Sequence, residues 1–134
     1  SITGLYTGLV EGDDTNEPVS DTTRSILDGH IVLSRRLASQ GHYPAVDVLE
    51  SVSRVMVDVV DEQHVAAANQ IRDTMSTYRE AQDLINIGAY RRGNNPRIDF
   101  AIDRIDRINA FLRQGIDEHA EFQSSREMMT QLLE

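Results

Sequence analysis

The hydrophobic period of this chain changes near Asp61, and that change divides what it can fold into. From Ile2 to about Val60, short strand-like runs (Leu5 to Val10, His30 to Leu33) alternate with turn clusters at Glu11 to Pro18 and Gly41 to Pro44. Short helical pieces are expected at Asp21 to Leu27 and Arg35 to Gln40. From Asp61 onward the spacing is helical. The expected fold class is therefore α/β followed by all-α, with a boundary between residues 1–60 and 61–134.

In the second region Val65, Ala68, Ile71, Met75, Tyr78, Leu84 and Ile85 fall close to one face of a long helix that Gly88 can end. A loop, Arg91 to Pro96, leads to a second helix opened by Asn95 and Pro96, an acceptable cap and first-turn pair. Its apolar positions are Ile98, Ala101, Ile102, Ile105, Ile108 and Leu112, and Gly115 is expected to stop it. A last amphipathic stretch, Glu118 to Leu133, places Phe122, Met129 and Leu132 on its apolar side and completes a small helical bundle.

Composition excludes several chemistries. The 13 basic residues are all arginine, so no phosphate-loop lysine or Schiff-base lysine exists within these 134 residues. Cysteine is absent, which removes disulfides and thiolate metal sites. A net charge of −9, with the arginines interleaved among Asp and Glu, argues against nucleic acid as a partner. No apolar run approaches the roughly 18 to 20 residues that cross a bilayer, and a soluble, cytoplasmic chain is expected. His30, His42, His64 and His119 show no ligand spacing and no neighbouring nucleophile, so none receives a catalytic role and no metal site is assigned.

Ser1 opens directly onto the β-prone run SITGLYTGLV, without an initiator Met, a cap or a preceding turn. A strand entering so abruptly needs partners for its ladder groups. The chain is therefore expected to be a fragment whose remaining part holds the rest of the sheet.

The segment GHYPAVDVLESVSR, Gly41 to Arg54, sets an aromatic ring, a proline turn and a lone guanidinium in one mostly non-periodic stretch. An aromatic can stack on a base and an arginine can grip a phosphate. On pattern alone the plainer reading leads, with Tyr43 a partly buried turn aromatic and Arg54 a surface arginine paired with Asp47 or Glu50.

The run SITGLYTGLVEGDDTNEPVSDTTRSILDGHIVLSRRLASQGHYPAVDVLESVSRVM closely resembles the end of the catalytic domain in the type III protein-export ATPases, flagellar and injectisome, relatives of the rotary ATP synthase β subunit. GAYRRGNNPRIDFAIDRIDRINAFLRQG keeps the form of their C-terminal tail, and its look favours the flagellar branch. The resemblance implies the end of a RecA-like ATPase core followed by a C-terminal helical bundle. It further implies ATP with Mg²⁺ as cofactor, most of whose ligands would lie outside this chain.

Position by position, the resemblance makes Arg54 an arginine finger acting in trans on the nucleotide of a neighbouring subunit. It puts Tyr43 beside the adenine of its own subunit, with Pro44 fixing the direction of the ring. The acidic loop gives Asp14, Asn16 and Glu17 as contacts to a stalk-like coiled-coil protein, or else is a solvated turn. Arg35 and Arg36 are read as structural, paired with Asp28 or Asp47.

The implied assembly is a homohexamer at the inner-membrane export apparatus. Its implied partners are the stalk protein, a regulator or stator protein, export gate membrane proteins and chaperone–substrate complexes. A GxxxxGK[ST] loop is missing here, so this stretch alone should not hydrolyse ATP. The alternative is a non-catalytic subunit, or a helical interaction module, of a rotary ATPase-like assembly.

Overall fold

The computed structural model describes residues 2–10 and 18–133, with positions 19 and 20 described in their backbone only. Asp14, Asn16 and Glu17 lie outside the described residues. The first helix, α1 (Pro18–Ile26), starts on a proline, whose missing N–H is no loss in a first turn. Then come β1 (Gly29–His30), α2 (Arg35–Ser39), β2 (Val52–Ser53) and the single turn α3 (Met56–Val59). Three longer helices follow: α4 (Glu62–Asn86), α5 (Pro96–Leu112) and α6 (Phe122–Gln131).

The caps explain where the helices start. Asp61 accepts from His64 N at 2.9 Å and Asn95 from Arg97 N at 3.0 Å, so each satisfies a first-turn donor that the helix itself cannot. The ends of α2 and α4 share one motif. Gly41 (φ 69°) and Gly88 (φ 70°) adopt the left-handed conformation, and the residue after each donates back three positions inside the helix end. His42 N bonds to Leu37 O at 3.0 Å, and Ala89 N to Leu84 O at 2.9 Å.

The core of the helical region is built from Ile71 of α4, Ile108 of α5 and Leu132 after α6, with Met75, Phe111 and Met129 packed around them. Burying side chains of this size stabilises by roughly 1.5 to 3 kcal/mol each. Ala67, Ala81 and Ala101 are also buried, and their single methyls let α4 and α5 approach closely. Thr74 is buried in the same seam, its hydroxyl donating to Gln70 O at 2.8 Å.

The periodicity reading therefore needs adjustment in α4, where the buried stripe runs through Ala67, Ile71, Thr74 and Ala81. Leu84 is 49% exposed, because the last turn of α4 passes beyond the stretch where Arg97 of α5 reaches Asp73 and Thr77. Phe122 is likewise not on a buried face: it is 66% exposed and lies against His64, ring centroids 5.6 Å apart. Gly115 does not end α5. The helix stops at Leu112, where Arg113 turns extended (ψ 141°), and Gln114 N is taken by Tyr43 O at 3.0 Å.

Preceding the three longer helices is a small antiparallel ribbon in which Gly29 faces Ser53 and His30 faces Val52. A bridge between Leu33 and Val46 continues it, flanked by Asp47 N to Val32 O and Ser34 N to Ala45 O, both 2.8 Å. Gly29 is required by contact: a Cβ there would sit 2.6 Å from Val52 O.

The strand expected at Leu5 to Val10 does not form. Residues 2–10 carry no regular structure, and Leu5 and Leu9 are fully open to solvent. A strand exists only through a partner that takes its backbone groups, and among the described residues none lies beside this run.

Candidate functional site

The segment from Gly41 to Arg54 leaves α2, crosses the ribbon and ends at the start of α3. Once Gly41 has reversed the chain, Tyr43 stands on the outer edge of the turn, 58% exposed, with a cis bond to the exposed Pro44. Within this chain Tyr43 is therefore exposed rather than partly buried. Beneath it His42 is buried (5% exposed). Burial, and then the positive charge of Arg113, hold its imidazole below the ordinary value of 6.5.

After the turn, Asp47 is the organising group. Its Oδ1 accepts from Leu49 N (3.1 Å) and Glu50 N (3.3 Å), closing the turn at 47–50. Both of its oxygens accept from Arg79 Nη2 of α4, at 2.9 and 3.0 Å, and Arg79 Nη1 reaches Glu50 Oε1 at 3.4 Å. Ser51 Oγ donates to Asp47 O (2.6 Å) and accepts from Val32 N (3.0 Å). Arg72, one guanidinium on α4, donates to three carbonyls of the turn: Val48 O at 2.8 Å, Ser51 O at 3.0 Å and Leu49 O at 3.3 Å.

Arg54 follows β2 directly. Its backbone N bonds to Asp28 O at 2.8 Å, and its exposed guanidinium donates to Ser25 O (3.0 Å) and Arg24 O (3.3 Å). Those carbonyls belong to the end of α1, where a cation meets both unsatisfied acceptors and the negative end of the helix dipole. Two of the five donors of a guanidinium are used there, leaving others for an anion.

One expectation about pairing is corrected. Asp47 and Glu50, offered as partners for Arg54, are bound by Arg79. Sequence reading missed Arg72 and Arg79 altogether. Their spacing of seven, two helical turns, was the available signal that both face one neighbour.

Tyr43 and Arg54 are held by different parts of the molecule, the first by the end of α5 and the second by the end of α1. Among the described residues, no three His, Asp or Glu converge as a metal-binding set. No helix among them is long and apolar enough to cross a membrane.

The structure thus defines a small α/β segment, carrying the exposed Tyr43 and Arg54, followed by a helical bundle. Similarity to known proteins specifies it: the chain belongs to the family described as the T3SS EscN ATPase C-terminal domain, whose model matches residues 60–131. Residues 1–53 match the ATP synthase alpha/beta family, nucleotide-binding domain.

The chain is 53% identical over 98% of its length to the flagellum-specific ATP synthase of Bacillus subtilis (strain 168), of which it covers 30%. It is 49% identical over 98% of its length to the type 3 secretion system ATPase of Sinorhizobium fredii, of which it covers 29%. It thus spans less than a third of the curated relatives it matches. Among solved structures, the assembled ATPase EscN of enteropathogenic E. coli superposes with a TM-score of 0.95 at 40% identity, over all of this chain and 32% of that one. EscN in complex with its central stalk EscO gives 0.83 at 38% identity, over 88% of this chain and 29% of that one. The expected architecture, α/β followed by a helical domain, agrees with these structures.

Proposed function

We propose that this chain is the C-terminal portion of an ATPase that energises or assists type III protein export, working as a homohexamer whose nucleotide sites are shared between subunits. What carries the reading is the placement of Arg54: an exposed guanidinium at the end of a strand, held by its main chain and by two carbonyls, with donors left over. Placed against the charge developing on a transferring phosphoryl group, such a finger contributes about 10³ to 10⁵ in rate. Lysine would lack the planar fork.

Tyr43 fits an adenine, since its ring is exposed and the turn beneath it is fixed by Gly41, the buried His42 and the bond from Gln114 N. Stacking there contributes affinity, on the order of 1 to 3 kcal/mol, and no part of the chemical step. Bound ATP with Mg²⁺ supplies the phosphoryl group and its charge neutralisation. The metal ligands and the phosphate loop are assigned to the longer protein, and so is the boundary role of residues near 60, where the ATPase core passes into the helical domain.

Asp14, Asn16 and Glu17 are assigned to a stalk-like protein, as EscN was solved with its central stalk. Further partners in this reading are a regulator or stator protein, the export gate and chaperone–substrate complexes, at the cytoplasmic face of the inner membrane and on the flagellar branch.

The test is ATP turnover of the full-length protein against its state of assembly, wild type beside Arg54→Ala. Turnover that rises with assembly and falls by about 10³ or more in the variant, with ATP binding retained, supports the finger. Near-normal turnover in Arg54→Ala removes it.

A further inference from the structure

We propose that Arg72 and Arg79 are positioning residues for Arg54, through which the pose of the helical region sets the geometry of the nucleotide site. The inference rests on the finger reading of Arg54.

The segment from Asp47 to Arg54 has little packing of its own. Val52 near its far end and Val55 just beyond it are exposed, at 43% and 41%, and β2 is two residues long. Its position is fixed by polar contacts, from the ribbon and α1 on one side and from Arg72 and Arg79 of α4 on the other. Arg72 gathers three carbonyls of the turn, those of Val48, Leu49 and Ser51, onto one planar guanidinium. Arg79 clamps the buried Asp47 through both carboxylate oxygens, and Asp47 in turn caps Leu49 N and Glu50 N.

Two residues, Val52 and Ser53, separate the last of those carbonyls, Ser51 O, from Arg54. Both arginines rise from a helix whose adjoining face is packed into the core through Ile71 and Met75. A shift of α4 is therefore delivered directly to the turn that carries β2 and Arg54. Removing the Arg72 donors leaves three carbonyls without their partner, and the turn loses its main tie to the helix. Displacing a charge-stabilising group by about 1 Å can lower a rate by roughly 10²-fold.

The experiment is a double-mutant cycle on the full-length protein, with kcat and KM for ATP measured for Arg72→Met, Arg54→Ala and the pair. Methionine keeps an unbranched apolar stem and removes the donors. Arg72→Met is expected to lower kcat roughly 10- to 100-fold, with KM held within about twofold because the Tyr43 turn has its own support from α5. In the Arg54→Ala background the same change should add nothing, since the group it acts through is gone.

Equal loss in both backgrounds, or a raised KM with unchanged kcat, overturns the proposal while leaving the finger intact. Near-normal turnover in Arg54→Ala alone overturns the finger, and this inference with it. Arg72→Lys, which keeps a cation without the fork, carries the same cycle should Arg72→Met fail to fold. It is expected to lose less turnover than methionine and to show the same lack of additivity.

Discussion

Arg79 of α4 and Asp47 of the turn after Pro44 meet through both carboxylate oxygens, at 2.9 and 3.0 Å, across thirty-two residues of sequence. The Asp47 side chain is 8% exposed and that of Arg79 36%, so the pair is buried on one side and wet on the other. Its worth lies between a surface pair and a fully buried one.

Asp47→Ala is expected to destabilise the full-length protein by about 2 kcal/mol, because it strips the caps from Leu49 N and Glu50 N as well as the partner from Arg79. Chemical unfolding measures this directly. A change under about 0.5 kcal/mol, the usual range for surface substitutions, would mean that the turn holds without Asp47.

Gly29→Ala should disturb the ribbon although alanine is small. The added methyl would lie 2.6 Å from Val52 O, a backbone atom that cannot rotate away, so β2 must move. A cost of about 1 to 3 kcal/mol is expected, and turnover should fall more than ATP affinity, because the moved strand leads into Arg54. Unchanged turnover would dissociate the ribbon from the site.

His42 makes stability depend on pH. Its folded-state value is lowered, first by burial and then by Arg113, so the folded form resists protonation while the unfolded chain accepts a proton near 6.5. The contribution is fully present above 6.5 and is lost as pH falls below it. The thermal midpoint should drop on acidification from pH 7.5 to 5.5, with a smaller drop in His42→Asn; equal drops in both would assign the effect to other groups.

Tyr43→Ala should weaken the apparent affinity for ATP by roughly 5- to 150-fold, the range for a lost base stack, while maximal turnover changes much less. A pure rate defect would contradict a stacking role.

Tyr90 closes the loop between α4 and α5, its hydroxyl within 2.8 Å of Asp99 Oδ1 while Gly93 N donates to Asp99 Oδ2 at 2.9 Å. Burial and then the bond donated to Asp99 push its phenol above 10. Stability from this group is therefore present below pH 10 and lost as pH rises past it. In an absorbance titration Tyr90→Phe should remove a phenol that ionises above pH 10; loss of one that ionises below 10 would contradict the assignment.

Much of this was legible from local chemistry. Asp61, Gly88, Asn95 and Gly41 mark real helix ends because caps and left-handed glycines act within one turn and need no tertiary partner. The long helices follow from spacing, yet Leu84 and Phe122 turned out exposed, since periodicity identifies a face without saying how far the neighbouring helix extends along it. The small buried residues Ala67, Thr74 and Ala81 were overlooked because they signal close approach rather than hydrophobic bulk.

The strand at Leu5 to Val10 failed for a different reason: β structure is a property of pairs. Tyr43 and Arg54 were found through their setting in one segment, whereas Arg72 and Arg79 looked like ordinary charges on a helix. Only the fold brings the carbonyls of 48, 49 and 51 within reach of a side chain from another region.

The bond from Gln114 N to Tyr43 O gives the Gly41–Arg54 segment a second fastening, at the far end from Arg72 and Arg79. A body joined at one point can swivel; joined at two, it loses that freedom about every axis but the line between them. The helical region thus grips the segment at two separate places, the aromatic turn at Tyr43 and the stretch from Asp47 to Ser51 that leads into Arg54.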